Sequence, residues 1–186
     1  MTAITEAKIL VIATHGFEQS ELEVPRDKLR EHGATVHVAS PDGRTIKGWD
    51  GNDWGQDAAV DLQLSDASVE EYDALVLPGG QMNPDLLRVD RDAISLIQGF
   101  VSAGKVVAAI CHAPWLLIEA GVVEGREMTS YPSIRTDLKN AGADVVDKPV
   151  AVSNGIITSR NPDDLNDFVA KIVEEIEEGR HERSAA

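Results

Sequence analysis

The chain has 186 residues, enough for one domain with a hydrophobic core, and its 42% hydrophobic and 26% charged residues are typical of a globular protein. The net charge of −15 argues against nucleic-acid and membrane partners, and the first residues do not resemble a signal peptide, so we expect a cytoplasmic protein. A single cysteine excludes an intramolecular disulfide and a multi-cysteine zinc site.

Strand and helix patterns alternate along the chain. Short β-branched apolar runs predict buried strands at residues 8–13, 35–39, 74–78 and 106–110. Amphipathic patterns predict helices from about residue 18 to 33 and over 85–103, 114–120, 134–141 and 162–178. A small hairpin is expected within residues 41–65, and short strands at 144–146, 150–152 and 156–158.

This order predicts an α/β fold with a doubly wound, mainly parallel sheet and helices on both faces. We expect one domain over residues 1–186, with an ordered core of about residues 7–178 and a polar, frayed tail. Three polar or glycine-rich loops, at residues 15–21, 79–83 and 111–114, follow predicted strands. The carboxyl ends of parallel strands share one edge of a sheet, so these loops should converge there.

The lone cysteine, Cys111, lies between a predicted buried strand and a helix, a position typical of a nucleophile on a sharp turn. Amides at the helix start and the helix dipole would stabilise its thiolate. The amide of Gly80 is a candidate second oxyanion donor, and Gly79 and Gly80 would let the backbone approach a substrate. Taken alone, however, the two glycines also fit an ordinary strand-to-helix turn.

Two further residues are candidates for adjusting the protonation of the Cys111 thiol. His112 follows the cysteine, and a role as general base is about as well supported as local packing or capping. Glu18, at the first strand–helix junction, is placed to reach over Cys111, whereas Glu21 and Glu23 fit solvated helix positions. No set of His, Asp and Glu residues has convincing metal-ligand spacing, so neither a metal nor another cofactor is expected.

Several motifs occur together in a specific order. They are Phe17-Glu18-x-x-Glu21-Leu22-x-x-Pro25, Leu77-Pro78-Gly79-Gly80, Ala109-Ile110-Cys111-His112-Ala113-Pro114, Thr129-Ser130-Tyr131-Pro132 and Ser159-Arg160-Asn161-Pro162-Asp163-Asp164-Leu165. In this arrangement the chain resembles the PfpI (intracellular protease I) family of the DJ/PfpI superfamily, related to class I glutamine amidotransferase-like domains. The resemblance runs from about Lys8 to the last helix and implies a flavodoxin-like fold.

The resemblance also implies roles for individual residues. Cys111 would be the nucleophile, Glu18 its hydrogen-bonding carboxylate and His112 the partner base. Tyr131 matches a tyrosine that lines the family pocket, and Asp85 matches an acidic residue that faces the histidine across a subunit interface. Self-association as dimers, or as hexamers built from them, is therefore expected.

The expected function is a stress-protective cysteine-dependent enzyme whose thiolate attacks a reactive carbonyl. Its substrate would be a small reactive aldehyde, a glycated amino group or a peptide, as in glyoxalase III, deglycase or peptidase relatives. The alternative is a redox-sensing or chaperone-like stress protein that uses an oxidisable cysteine without turnover. A glutamine amidotransferase is disfavoured, because no histidine lies between His112 and His181. Trp49 and Trp54 lie in the hairpin region, where aromatic residues often cover an interface, but packing in the core is the preferred interpretation.

Overall fold

The protein is described by a computed structural model that covers residues 2–179. Its strands are β1 (Lys8–Ile12), β2 (Phe17–Glu18), β3 (Thr35–Ser40), β4 (Ile46–Asp50), β5 (Asp53–Ala58), β6 (Leu62–Gln63), β7 (Ala74–Leu77), β8 (Val106–Ile110), β9 (Glu127–Met128), β10 (Asp144–Val145), β11 (Val150–Ser153) and β12 (Ile156–Ser159). Its α-helices are α1 (Gln19–Glu31), α2 (Met82–Leu87), α3 (Arg91–Ser102), α4 (Pro114–Glu119), α5 (Arg135–Asn140) and α6 (Leu165–Glu178).

The central sheet has seven strands in the order β11-β12-β8-β7-β1-β3-β6. All neighbours pair in parallel except β11, which runs antiparallel to β12 at one edge. Successive side chains of a strand point to opposite faces of the sheet. Because helices cover both faces, all of these side chains are buried, and the strands are therefore short apolar runs. The predicted flavodoxin-like, doubly wound fold is confirmed.

The two faces of β1 show how the core is divided. Ile9 and Val11 pack in a cluster with residues of α1 and α6, including Leu22 and Phe168. Leu10 and Ile12, on the other face, pack with residues of α3 and α4, including Phe100 and Leu117. The strand is therefore apolar throughout, and its carboxyl end is held rigidly between two packed layers.

The predicted hairpin is confirmed, but the prediction for its tryptophans is wrong. Strands β4 and β5 pair antiparallel, and β2 adds to β4 to make a separate three-stranded sheet. Trp54 is 46% exposed and meets the half-buried Trp49 edge to face, with ring centroids 5.6 Å apart. The two residues are paired directly across the hairpin, so their side chains pack on each other outside the core.

The single helix predicted over residues 85–103 is divided into α2 and α3. Asp90 causes the division, because its side chain accepts hydrogen bonds from the amides of Asp92 and Ala93 at 2.9 and 3.0 Å. These bonds satisfy amides that would otherwise be unpaired at a helix start. The break lets α3 pack on β7 and β8, whereas α2 contacts β2 and α4.

The predicted last helix is present at the end of the described residues. Asn161 accepts a hydrogen bond from the amide of Asp163, and a 3₁₀ turn over Pro162–Asp164 leads into α6. The predicted polar tail lies, from residue 180 onward, outside the described residues. Within residues 2–179, no helix is both long and apolar enough to cross a membrane.

We expect Asp90→Ala to lower the free energy of unfolding by about 1 kcal/mol, because it removes the N-cap of α3. Chemical denaturation followed by circular dichroism measures this loss. Asp92→Ala is the matched control, since Asp92 lies in the same turn without capping it. Equal destabilisation by the two variants would contradict the capping role.

Candidate active site

Three loops meet at the carboxyl edge of the sheet, as the sequence predicts. The amide of Glu18 donates to the carbonyl of Gly79 at 3.3 Å, which joins the loop after β1 to the loop after β7. The amide of Thr14 donates to the fully buried Asn83 side chain at 2.7 Å, and that side chain donates in turn to the carbonyl of Pro78 at 2.8 Å. These bonds fix the two loops against each other beneath the third loop, which contains Cys111.

Cys111 lies on a strained turn directly after β8. Its φ of +64° is in the left-handed region, which costs a residue other than glycine on the order of 1–3 kcal/mol. The conformation is held from both sides, because the Cys111 amide donates to the carbonyl of Ser159 at 3.0 Å and its carbonyl accepts from the amide of Tyr131 at 2.9 Å. The thiol is 5% exposed and accepts hydrogen bonds from the amides of Gly80 and His112.

Gly79 and Gly80 are required by close packing around the thiol. A Cβ at position 79 would lie 2.5 Å from Oε2 of Glu21 and 2.7 Å from Cβ of Cys111. A Cβ at position 80, where φ is +77°, would lie 2.5 Å from the carbonyl oxygen of Gly16. The two glycines therefore let the loop after β7 approach the nucleophile. The amide of Gly79 donates to Glu21, and the amide of Gly80 interacts with both the Glu21 carboxyl and the sulfur of Cys111.

The carboxyl group beside the thiol belongs to Glu21, so the prediction that Glu21 is solvated is wrong. Glu21 is fully buried, its Oε2 accepts the amide of Gly79 at 2.9 Å, and its side chain interacts with the thiol of Cys111. The physical reason is helix geometry. Residues 21, 25 and 29 follow one another at four-residue intervals, so Glu21 extends the buried stripe formed by Pro25 and Leu29.

Glu18, predicted to reach over Cys111, has a different partner in the structure. Its half-buried carboxylate accepts a hydrogen bond from the amide of Gly51, at the tip of the β4–β5 hairpin. Burial raises the pKa of Glu18, and the nearby charge of Asp50 adds to the rise. Glu18 lies before the first turn of α1, where its side chain is directed to the hairpin, and Glu21 occupies the position predicted for it.

The imidazole of His112 lies beside the thiol, with Nδ1 3.1 Å from Sγ of Cys111. Its Nε2 is 3.1 Å from Oγ of Ser133. The ring is stacked on Tyr131, with centroids 4.6 Å apart, and meets the edge of Trp115 at 5.4 Å. Burial lowers the pKa of His112, which favours the neutral form of its ring.

Asp85, the predicted acidic partner of the histidine, lies on the exposed side of α2. Its role across a subunit interface stays a prediction. Two residues of the site are not among the predicted ones: Asn83, which ties the loops together, and Ser133, which contacts the histidine. The position of Ser133, two residues after the Tyr131 singled out by the motif, was the available signal for it. In the described chain, no group of three or more His, Cys, Asp and Glu side chains is arranged to hold a metal ion.

Cys111 and Glu21 form a coupled, buried acid pair. Burial raises the pKa of the Cys111 thiol, as does the charge of Glu21 when ionised, while the amides of Gly80 and His112 oppose the rise. Burial also raises the pKa of Glu21 to about 8. The carboxyl group is therefore largely protonated at neutral pH. In that state it no longer repels a thiolate and can donate a hydrogen bond to it.

The sequence matches the model of the DJ-1/PfpI family over residues 7–175. The chain belongs to this family. It is 42% identical to deglycase PH1704 of Pyrococcus horikoshii over 166 residues, which are 89% of this chain and 97% of that protein. It is 41% identical to protein/nucleic acid deglycase 2 of Escherichia coli over 163 residues, covering 87% and 92% of the two chains. The crystal structure of Drosophila melanogaster DJ-1beta superposes with a TM-score of 0.83 at 32% identity, covering 92% of this chain and 94% of that one.

The raised pKa of Glu21 predicts a pH-dependent contribution to stability. Between the ordinary carboxyl pKa of 4.5 and the folded value of about 8, the folded state binds more protons at Glu21 than the unfolded state does. This contribution is complete below pH 4.5 and is lost as the pH rises to about 8, with a slope of at most about 1.4 kcal/mol per pH unit.

Glu21→Gln should remove this pH-dependent part of the free energy of unfolding. Glu31→Gln, at the exposed end of the same helix, should leave it unchanged. Urea denaturation at pH 5, 6, 7 and 8 measures both curves against the wild type. Parallel curves for wild type and Glu21→Gln would show that the buried carboxyl does not titrate in this range.

Proposed function

We propose that the protein is a stress-protective cysteine-dependent enzyme of the PfpI type, which removes reactive carbonyls or releases them from glycated amino groups. The surroundings of the Cys111 sulfur support this proposal best. The Cys111 thiol lies on a strained turn, faces the amides of Gly80 and His112, and adjoins the buried Glu21 carboxyl. The deglycase names of relatives about 40% identical over most of the chain add support.

In the proposed reaction with methylglyoxal, the Cys111 thiolate attacks the aldehyde carbon, forms a C–S bond and converts the carbonyl oxygen to an oxyanion. Loss of the proton from that carbon and return of a proton to the neighbouring carbon gives a lactoyl thioester. Water then cleaves the C–S bond and regenerates the thiol. The sum is methylglyoxal plus water to lactic acid, with no external oxidant or reductant. An early hemiaminal adduct on an amine first breaks its C–N bond: the hydroxyl proton passes to the nitrogen, the free amine leaves and the aldehyde carbonyl forms again, and the aldehyde then follows the same course.

Each nearby group has a proposed task in these steps. Gly80 and His112 supply amide hydrogen bonds first to the sulfur and then to the oxyanion that forms beside it. Glu21 holds a proton next to the sulfur, which favours the thiolate without adding a charge. The neutral imidazole of His112, with Nδ1 3.1 Å from the sulfur, moves the proton between the two carbons.

The restricted exposure of the thiol favours small substrates. Cys111 is 5% exposed and Tyr131, beside it in the site, is 39% exposed. A two- or three-carbon aldehyde, or its adduct on a flexible side chain, reaches such an atom more easily than a folded polypeptide does. We therefore propose carbonyl and adduct chemistry over endoproteolysis. The same burial makes the alternative, a redox sensor without turnover, depend on small oxidants such as peroxide.

We further propose that the protein acts in the cytoplasm and self-associates, as the sequence analysis predicts, as a dimer or a hexamer. Three apolar side chains on and after α2 support self-association: Met82, Leu86 and Val89 are 37%, 54% and 81% exposed. They lie next to Asp85 in sequence, so an interface there would include the acidic residue that the family resemblance implies. The predicted lack of a stable nucleic-acid partner follows from the net charge of −15 and is separate from any glycated base as a substrate.

The first test measures methylglyoxal consumption and lactate formation. Wild type should turn over, and Cys111→Ser should lose at least about 10³-fold in kcat/KM, because it lacks the nucleophile. Glu21→Gln should lose about 10²-fold and Glu18→Gln less than tenfold, since only Glu21 adjoins the sulfur.

The reverse ranking of the two glutamate variants would restore the sequence-based assignment of Glu18. If the wild type is inactive while Cys111 is selectively oxidised by peroxide, the redox-sensor alternative is correct. A release assay with a methylglyoxal-treated N-acetyl-lysine then separates adduct chemistry from free-aldehyde chemistry.

A further inference from the structure

The strained backbone of Cys111 is held by two segments that are distant from each other in sequence. Its amide donates to the carbonyl of Ser159 at 3.0 Å, and its carbonyl accepts from the amide of Tyr131 at 2.9 Å. Resting on the proposed function, we infer that Asp147 is a positioning residue that keeps these two segments in place. Its own side chain lies at the surface and is 60% exposed.

Asp147 bonds to one arginine from each of the two segments. Its Oδ1 accepts hydrogen bonds from Nη2 of Arg135 at 2.8 Å and from Nη1 of Arg160 at 2.9 Å. Its Oδ2 accepts a further bond from Nη1 of Arg135 at 3.2 Å. Arg160 directly follows Ser159, and Arg135 follows Tyr131 by four residues. One carboxylate therefore joins the two segments that hold the nucleophile.

The connection from each arginine to the turn at Cys111 is short and restrained. Arg135 begins α5 directly after the 3₁₀ turn Pro132–Ile134, whose first residue is a proline with restricted φ and whose last residue is buried. Arg160 is held on its other side by Asp164, which is 6% exposed and accepts bonds from Nε and Nη2 at 2.8 and 2.9 Å. A displacement of either guanidinium group is therefore transmitted to the backbone beside the cysteine.

A buried hydrogen bond also joins the two segments, but on the other side of the turn. The amide of Thr129 donates to Oγ1 of Thr158 at 2.9 Å, and both residues are buried. These two residues precede the ones that bond to Cys111, whereas both arginines follow them. The turn thus lies between an uncharged bond in the core and a charged cluster at the surface.

The charge of Asp147 makes its removal more disruptive than the loss of a neutral bond. The two guanidinium groups bond to the same oxygen atom, so without the carboxylate they would face each other as like charges. The bonds from Arg160 and Arg135 lower the pKa of Asp147, so the carboxylate is ionised at neutral pH. Because the cluster is open to solvent, dissolved salt screens it. Neutralising Asp147 and adding salt should therefore affect the turn in the same way.

Loss of the carboxylate should allow the strained turn to relax. A φ of +64° is unfavourable for cysteine, so Cys111 keeps it only while the segments on both sides are held. In a relaxed turn the sulfur leaves the amides of Gly80 and His112, which the proposed reaction uses. Asp147 thus acts on the reaction through the backbone of the nucleophile.

Amide hydrogen exchange followed by NMR measures how firmly the turn is held. In Asp147→Asn, the amides of Cys111 and Tyr131 should exchange about tenfold faster than in wild type, while the amides of β1 keep their rates. In about 1 M sodium chloride the Debye length falls to about 3 Å, so wild type should approach the variant and the variant should not respond. A general loss of stability would accelerate the β1 amides as well.

Kinetics with methylglyoxal measure whether this hold matters for the reaction. In Asp147→Asn, kcat should fall about fivefold, because part of the molecules has a relaxed turn. Asp147→Glu, which keeps the charge, should restore both kcat and slow exchange. Asp144→Asn is the matched control and should change neither measurement, since Asp144 is exposed in the same segment while the arginines pair with Asp147 and Asp164.

The inference is overturned if Asp147→Asn behaves like this control, if the β1 amides accelerate equally, or if exchange changes without a loss of kcat. It is also overturned if glutamate does not restore the wild-type values. If wild type does not consume methylglyoxal, the proposed reaction fails, and exchange alone decides the role of Asp147. Faster exchange confined to the amides of Cys111 and Tyr131 then supports the inference, and unchanged exchange overturns it.

Discussion

A carboxyl group buried against a thiol is the interaction on which the rest of the site depends. Placing Glu21 there removes an ionisable group from water, and the protein offsets this cost with the amide of Gly79 and by raising the pKa of the carboxyl. The loop after β7 must come close enough to supply that amide, and only glycine permits the approach. One requirement, the burial of Glu21 against the thiol, therefore links the glycine pair, the position of α1 and the turn at Cys111.

The fold was predictable because its signals are local and repeated. Runs such as Val106–Ile110 are too short and too β-branched for helices, and their alternation with amphipathic segments admits few topologies. The turn at Cys111 was predictable for the same reason, since a cysteine between a buried strand and a proline-initiated helix has few other geometries. The division between α2 and α3 was missed because it depends on the capping bonds of one aspartate, Asp90.

The identity of the carboxyl group was harder to predict, although the sequence contained a signal for it. Glu18 and Glu21 are three residues apart, and the choice between them depends on whether the helix begins before or after Glu18. Helix boundaries are the least certain part of a pattern-based prediction, and a shift of one residue rotates the helix by about 100 degrees. The spacing of Glu21, Pro25 and Leu29 identifies the buried face once that boundary is known. The contact of Ser133 with His112 depends on tertiary folding, which local patterns do not describe.

The backbone of Cys111 is held by segments that come later in the chain, and this affects when the site can form. Its amide is paired with Ser159 and its carbonyl with Tyr131, so neither bond exists until those residues have been synthesised and folded. A ribosome-bound chain that ends before β12 contains the cysteine, both glycines and Glu21, but it has nothing to hold the strained turn. The strained turn at Cys111 can therefore be held in place only after the last strand has joined the sheet, late in folding.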